Sequence, residues 1–465
     1  VEFNFTKKLR ALSQRQRRTF AVVSAAGFFN NYDGALLSLA IKQIQRGLAV
    51  SEKTLGRMAS IITLGSLLAP LITSQADRRG RRKIFLATIA MFSLLSGLTA
   101  FAWGAWSFVA LKFLTITFSS AEGAIALVIL VEEMNADARG LAVGMLGAIS
   151  AGGFALAAIG FAVIDVVPFG WRGLFAIAFL PILLVIPLWK LLPESNRYES
   201  KTMAMGSGGF LDPFRALLSS YPERFAMVST VLFLNAMGGT PAGLLQAKYL
   251  QEVRGWTPMN VSTLIFLGGG IGILGNVVAG YLSDQFGRRV LGVIVMLLAP
   301  AMWAVFFNST GDVMVASWIG SLFAQTAAST ILNAFSAELF PTSHRSTAES
   351  AIAVAGTLGG STGLMLESSL YGLLGNHWRA VTYLMSASVV AAIIVAIFFP
   401  ETAGGRAGIH LTRTHPPLAP LPARRAQEEG CLGLAEVHFE AFDAKAGAVE
   451  DDHHHHLIGL QRQRV

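Results

Sequence analysis

Twelve stretches of mostly apolar sequence recur along this chain, and their length restricts the fold more than any single motif. About 20 such residues in a helix cross the hydrocarbon core of a bilayer, where lipid offers the peptide groups no hydrogen bonds and the helix satisfies them internally. The stretches are 20–41, 56–76, 84–103, 106–131, 140–165 and 171–192, then 225–247, 259–283, 290–308, 312–336, 346–373 and 378–399. Composition agrees: of 465 residues, 53% are hydrophobic and 14% charged, against about 25% charged in an ordinary soluble domain. The expected fold is all-α and integral to the membrane, with the lipid bilayer as solvent, and not a soluble enzyme.

A formal net charge of +8 does not mark a nucleic-acid partner, because the basic residues gather in short segments between apolar runs rather than on one face. Lys7, Lys8, Arg10, Arg15, Arg17 and Arg18 precede the first stretch, and Arg78, Arg79, Arg81, Arg82 and Lys83 follow the second. The positive-inside rule makes both segments cytoplasmic. Lys42, Arg46, Lys53 and Arg57 run against that pattern in the first outer loop. An even number of spans puts both termini inside, in the cell inner (plasma) membrane. The first apolar run outlasts a signal h-region and is read as a retained span. Cys431 is the only cysteine, so neither a disulfide framework nor a cysteine metal site is available. No cofactor and no metal are expected.

Short motifs repeat at nearly one offset. Asp77 and Asp284, and Pro193 and Pro400, are 207 residues apart, and Glu132 and Glu338 are 206 apart. The chain is therefore read as an internal duplication. Residues 1–19 form a basic N-terminus, 20–192 a first six-helix half, 193–224 a polar connector, 225–405 a second six-helix half and 406–465 a polar tail expected to be disordered. Within the connector, Asp212-Pro213 has the form of a helix start.

Asp77-Arg78-Arg79-Gly80-Arg81-Arg82 and Gly280-Tyr281-Leu282-Ser283-Asp284-Gln285-Phe286-Gly287-Arg288-Arg289 resemble the loop signature of the major facilitator superfamily. The second copy matches in full, and the first has Thr73 in place of the leading glycine. With the duplication, the resemblance covers residues 20–405. It implies two pseudo-symmetric six-helix halves, related by an axis along the membrane normal, with a substrate site at mid-depth between them. It also implies a gating latch in which Asp77 meets the region after Arg345 and, by symmetry, Asp284 meets the region after Arg139. Glu132 with Arg139, and Glu338 with Arg345, have the family's spacing for charge pairs at the inner gate. Pro193-Glu194-Ser195-Asn196-Arg197 and Pro400-Glu401-Thr402 resemble the ends of the sixth and twelfth helices of sugar porters and their organic-acid relatives.

Asp33 lies about 20 Å along the first helix from Phe20, deep enough that an unpaired carboxylate would be costly. The surrounding Asn30-Asn31-Tyr32-Asp33-Gly34 is similar to the first helix of aromatic-acid:proton symporters and of sugar porters. The family pattern then implies a basic partner in the fourth helix at Lys112, where arginine is usual. Protonating the carboxylate of an Asp33–Lys112 pair would release the lysine, so the pair is a candidate link between proton binding and helix movement. Glu122 resembles the glutamate of the fourth helix in metabolite:proton symporters and stands about 80° around the helix from Lys112. Asn30, Tyr32, Asn235, Gln246, Gln325 and Asn333 are the candidate substrate contacts.

Other signals carry less. Gly270-Ile271-Gly272-Ile273-Leu274-Gly275 fits a dinucleotide fingerprint, but no strand precedes it, and close helix packing explains it. Gly152, Gly153, Gly359, Gly360 and Gly363 are read the same way. Glu349 and Glu367 lie toward opposite ends of one helix and are assigned to the membrane interface. His453 to His456 lie in the polar tail, and no P-loop signature is present. The expected function is proton-coupled symport of a small organic anion, an aromatic or other carboxylic acid, by a monomer working through alternating access. Uptake of a sugar or polyol, and a membrane sensor that does not transport, are the alternatives.

Overall fold

The computed structural model describes residues 12–183, 212–341 and 344–402. The chain divides into two units, Val1–Ala407 and Gly408–Val465. The second unit lies outside the described residues, as do the motif at Pro193 to Arg197, most of the connector and the side chain of Asp77.

Every element among the described residues is helical. The first half contains α1 (Gln14–Leu39), α2 (Ile41–Gly47), α3 (Glu52–Leu64), α4 (Ala69–Arg79), α5 (Arg81–Thr99), α6 (Ala105–Glu133), α7 (Ala136–Ala162) and α8 (Trp171–Ala176). The second contains α9 (Asp212–Ser220), α10 (Pro222–Glu252), α11 (Pro258–Phe286), α12 (Arg288–Asn308), α13 (Gly311–Glu338), α14 (Arg345–Leu374), α15 (His377–Leu384) and α16 (Ser386–Phe398). Nine helical stretches among the described residues are long and apolar enough to cross a membrane. Helices α1 and α14 have 26 and 30 residues, long enough to cross as well. They are more polar because Asp33, Ser361, Glu367 and Ser368 are turned into the protein, where each is buried. The sixth apolar stretch is described through residue 183.

The helices run past the apolar cores because their ends are built from polar caps, which hydropathy does not register. Helix α1 starts at Gln14, six residues before the apolar run: Gln16 N–H donates to Ser13 Oγ at 3.1 Å and Ser13 N–H to Gln16 Oε1 at 3.0 Å, a reciprocal capping box. Helix α11 starts on Thr257, whose Oγ1 accepts from Asn260 N–H at 3.2 Å, with Pro258 in the first turn where its missing N–H costs nothing. The second span is not one α-helix. It passes from α3 through a 3₁₀ turn, Gly65–Leu68, into α4, where Pro70 has no N–H for the ladder. Thr117 Oγ1 on α6 donates to the Gly65 carbonyl at 2.8 Å.

The two halves pack by the same rule. Helix α1 lies against α7, and α10 lies against α14. A Cβ at Gly153 would overlap the carbonyl of Phe28, and one at Gly359 or Gly363 would overlap the carbonyl of Phe233 or Met237. Glycine is what permits backbones to approach this closely in a membrane bundle. Gly275, in the apparent dinucleotide fingerprint, meets the Phe323 carbonyl of α13 in the same way. Between halves, α3 packs on α14 and α7 on α11. Leu267, Ile271, Leu274 and Val277 of α11, with Ile393 and Ile397 of α16, are exposed. An apolar exterior of that kind belongs against lipid tails.

Candidate functional site

Asp33 and Lys112 meet inside the first half. Lys112 Nζ donates to Asp33 Oδ2 at 2.7 Å, and the side chains are 1% and 4% exposed. Ser96 of α5 donates its hydroxyl to Asp33 Oδ1, and the lysine nitrogen lies 4.9 Å from the ring centroid of Phe175. Four helices, α1, α5, α6 and α8, thus supply the groups that two buried charges require. Removing one member of such a pair costs roughly 3–5 kcal/mol, because the other is left charged and dry. Glu122 is fully buried on α6. Its Oε2 accepts from Asn30 Nδ2, which also donates to the Ser119 carbonyl at 2.8 Å. Its Oε1 has no hydrogen-bond partner.

The described cavity lies in the second half. About 570 Å³ in volume, it is lined by Asn235, Thr240, Trp303, Gln325, Ser329 and Asn333 among others, with no charged side chain in the wall. Trp303 donates its indole N–H to Gln325 Oε1 at 3.2 Å, fixing the amide at the wall. A second hollow of about 280 Å³, bounded by Asn333, Ser336 and Glu349, continues toward the end that carries the arginine-rich loops. Glu349 therefore borders a cavity. Three candidate contacts lie elsewhere, Asn30 among them, on Glu122 and the Ser119 carbonyl. Tyr32 is 1% exposed and donates to the Leu174 carbonyl at 2.9 Å, because one residue from Asp33 turns its side chain about 100° around the helix. Gln246 accepts from Trp318 Nε1 at 2.6 Å and donates to the Gly243 carbonyl at 2.9 Å, away from that wall.

Around the arginine-rich loops, Gly80 and Gly287 have φ of 100° and 97°, a region that glycine enters freely and that breaks α4 from α5 and α11 from α12. Arg81 pairs with Glu132, and Arg288 pairs with Glu338. Arg82 stands beside Arg81 in the first turn of α5. The backbone N–H groups of Arg288 and Arg289 donate to the carboxylate of Glu401 at 2.7 and 3.1 Å, so this residue caps α12. The implied latch is not formed at Asp284. Its carboxylate faces Arg288 of its own turn at 3.4 Å with 71% of the side chain exposed, instead of the region after Arg139. The Nε atoms of Arg139 and Arg345 are buried without a hydrogen-bond partner. Gly280, the leading glycine of the motif, has open space where a Cβ would sit, so no close helix approach is made there.

The physical reason lies at the opposite end, where the halves are joined. Gln43 donates to Gln251 at 2.7 Å, the hydroxyls of Ser60 and Ser361 are 2.8 Å apart, and Ser262 donates to the Ala158 carbonyl at 2.7 Å. Lys248, Glu52, Glu367 and His377 cluster there as well. With the halves drawn together at that end, Asp284 has its own turn for a partner. Ser96, Trp303 and this cluster carry no signal in the sequence, which places Glu367 at the interface. The Glu367 side chain is instead 1% exposed, buried against His377. Among the described residues, no group of three or more His, Cys, Asp or Glu side chains is arranged to hold a metal.

A bundle of membrane-crossing helices in two similarly packed sets, with a polar cavity and a buried charge pair, defines a multi-pass membrane transporter. The sequence profile described as "Major Facilitator Superfamily" matches residues 23–299 and 228–432, and the chain belongs to that family. It is similar to the 4-hydroxybenzoate transporter PcaK of Pseudomonas aeruginosa, with 25% identity over 420 residues, covering 83% of this chain and 93% of the relative. It is also similar to a gallate transporter of Pseudomonas putida, with 25% identity over 387 residues, 74% of this chain and 83% of the relative. In fold it resembles the xylose transporter XylE of E. coli in its inward-open conformation, with a TM-score of 0.66 and 18% identity, over 83% of this chain and 96% of that one.

Proposed function

We propose that the protein is a proton-coupled symporter of the cell inner membrane that imports a small aromatic or other carboxylic acid by alternating access. The buried Asp33–Lys112 pair carries this reading. A carboxylate and an ammonium held 2.7 Å apart with almost no solvent form a contact that a single proton abolishes, since a neutral carboxyl no longer holds the lysine. Glu122, with one oxygen unpartnered, is a second place where a proton can reside. The arginine-rich loops mark the cytoplasmic side by the positive-inside rule, with both termini there, so the hollow beside Asn333 and Glu349 opens inward. Asn235, Gln325 and Asn333 offer amide donors to an acid, and Trp303 an aromatic surface. The named relatives that carry aromatic acids support the same cargo.

A second reading, uptake of a sugar or polyol, draws on the uncharged, amide- and hydroxyl-lined wall of the cavity, which suits a neutral solute with many hydroxyl groups. One experiment separates the two. Proteoliposomes are offered labelled aromatic acids, short carboxylates and sugars, each with and without an inward proton gradient. Gradient-dependent accumulation of an acid is expected, and uptake of sugar alone moves the protein to the second reading. Asp33→Asn is expected to abolish gradient-driven accumulation while sparing exchange of cargo across the membrane. Full accumulation in that variant removes Asp33 from the mechanism.

A further inference from the structure

At the end of the bundle away from the arginine-rich loops, ionisable side chains from four helices converge. Glu52 comes from α3 of the first half, and Lys248 of α10, Glu367 of α14 and His377 of α15 come from the second. Lys248 is fully buried. It donates to Gln45 Oε1 of α2 at 2.6 Å and to the Glu52 carboxylate, and lies 3.7 Å from Glu252. The imidazole of His377 is held between two carboxylates: Nδ1 contacts Glu367 Oε1, and Nε2 lies 2.9 Å from Glu52 Oε2. It stacks on Tyr371 with centroids 4.0 Å apart and planes at 14°. The two ring nitrogens point to opposite sides, so the cluster has no common focus for a metal. Its contacts bridge the halves.

Counting protons gives the chemistry. Each ring nitrogen meets a carboxylate oxygen, and each contact needs a hydrogen. A neutral imidazole supplies one N–H. The other hydrogen requires a second proton, carried by the remaining ring nitrogen or by the carboxyl that faces it. With that proton bound, His377 ties α3 of one half to α14 of the other. Without it, a nitrogen lone pair opposes a carboxylate lone pair in a site where burial magnifies the repulsion.

We propose that this cluster is a second proton-binding site, whose occupancy holds that end of the transporter shut and whose deprotonation lets the halves part there. It differs from Asp33–Lys112, which lies within one half, and it acts whatever the cargo is. The charged and titratable groups around it are Glu52 of α3, Lys248 and Glu252 of α10, and Glu367 and Tyr371 of α14, with Lys42 of α2 beside Lys248 and Glu252, Lys53 of α3 beside Gly372, and Arg379 exposed two residues along its own helix. The sign follows from the count: a rise in pH removes the proton and favours opening.

The test is a distance measured by pulsed electron paramagnetic resonance. Spin labels go on Trp103→Cys and Leu373→Cys in a Cys431→Ser background. The two positions stand on different halves at this end, 88% and 83% exposed. Purified protein in nanodiscs, with no substrate added, is titrated from about pH 5 to about pH 8. A longer distance is expected to grow at the expense of the short one, the ratio of the two changing at least about fivefold. In His377→Gln and Glu367→Gln the response is expected to vanish. Glu52→Gln, at a partly exposed position, provides the same check should a buried substitution prevent folding. Distances that stay constant with pH in the parent overturn the proposal, and so does an undiminished response in the variants that fold.

Discussion

A buried ammonium needs acceptors, and Lys112 finds them in the Asp33 carboxylate at 2.7 Å and the face of Phe175. The consequence is measurable apart from transport. Lys112→Met leaves Asp33 with the Ser96 hydroxyl alone and is expected to cost roughly 3–5 kcal/mol. Asp33→Asn combined with Lys112→Met should regain most of that, because no charge is then stranded. Thermal unfolding of the purified protein checks it; strictly additive losses in the double variant would show that the two side chains do not act as a pair. Asp33 stands out in the sequence because a carboxylate at that depth demands a reason, and the family pattern pointed to Lys112. Ser96 carries no such signal, since a serine in an apolar helix more often bonds its own backbone, as Ser321 does to the Trp318 carbonyl at 2.7 Å. Tyr32 was drawn in by its neighbour, although adjacent residues on a helix face different ways.

Helix pairs are set by glycines at their crossings. Gly363→Ala places a Cβ against the Met237 carbonyl, and the forced separation of α10 and α14 is expected to cost about 1–3 kcal/mol. Gly269→Ala meets nothing within 4 Å and serves as the comparison, with a change no larger than roughly 1 kcal/mol and of stabilising sign. Unfolding temperatures and the monodispersity of the purified variants decide it, and equal behaviour of the two would show that α10 and α14 tolerate a wider crossing. At this scale the sequence is most readable. Apolar runs of about 20 residues mark membrane helices because the bilayer sets their length. The break between α3 and α4 is only partly legible, because Pro70 marks it while no spacing shows that Thr117 of another helix meets the Gly65 carbonyl.

Across the whole molecule, alternating access requires the contacts between halves to break at one end while they form at the other. Ser60→Cys with Ser361→Cys, in place of hydroxyls 2.8 Å apart, is expected to cross-link on oxidation and to abolish uptake in proteoliposomes, with a reductant restoring it. Unchanged uptake at full cross-linking would mean that this end need not open. The duplication itself is legible in the chain, because its loop motifs recur at an offset of 206–207 residues. The joins between halves are not, because Lys248 finds Gln45 at a separation of 203 residues and His377 finds Glu52 at 325, and such pairs leave no spacing rule behind. The described cavity wall belongs to α10, α12, α13 and α14, whereas Asp33 and Lys112 stand on α1 and α6. Under the proposed function, a lineage with this division can redraw the chamber that meets its cargo, one substitution at a time, and inherit the charge pair unaltered. Descendants with new diets would then keep the same engine.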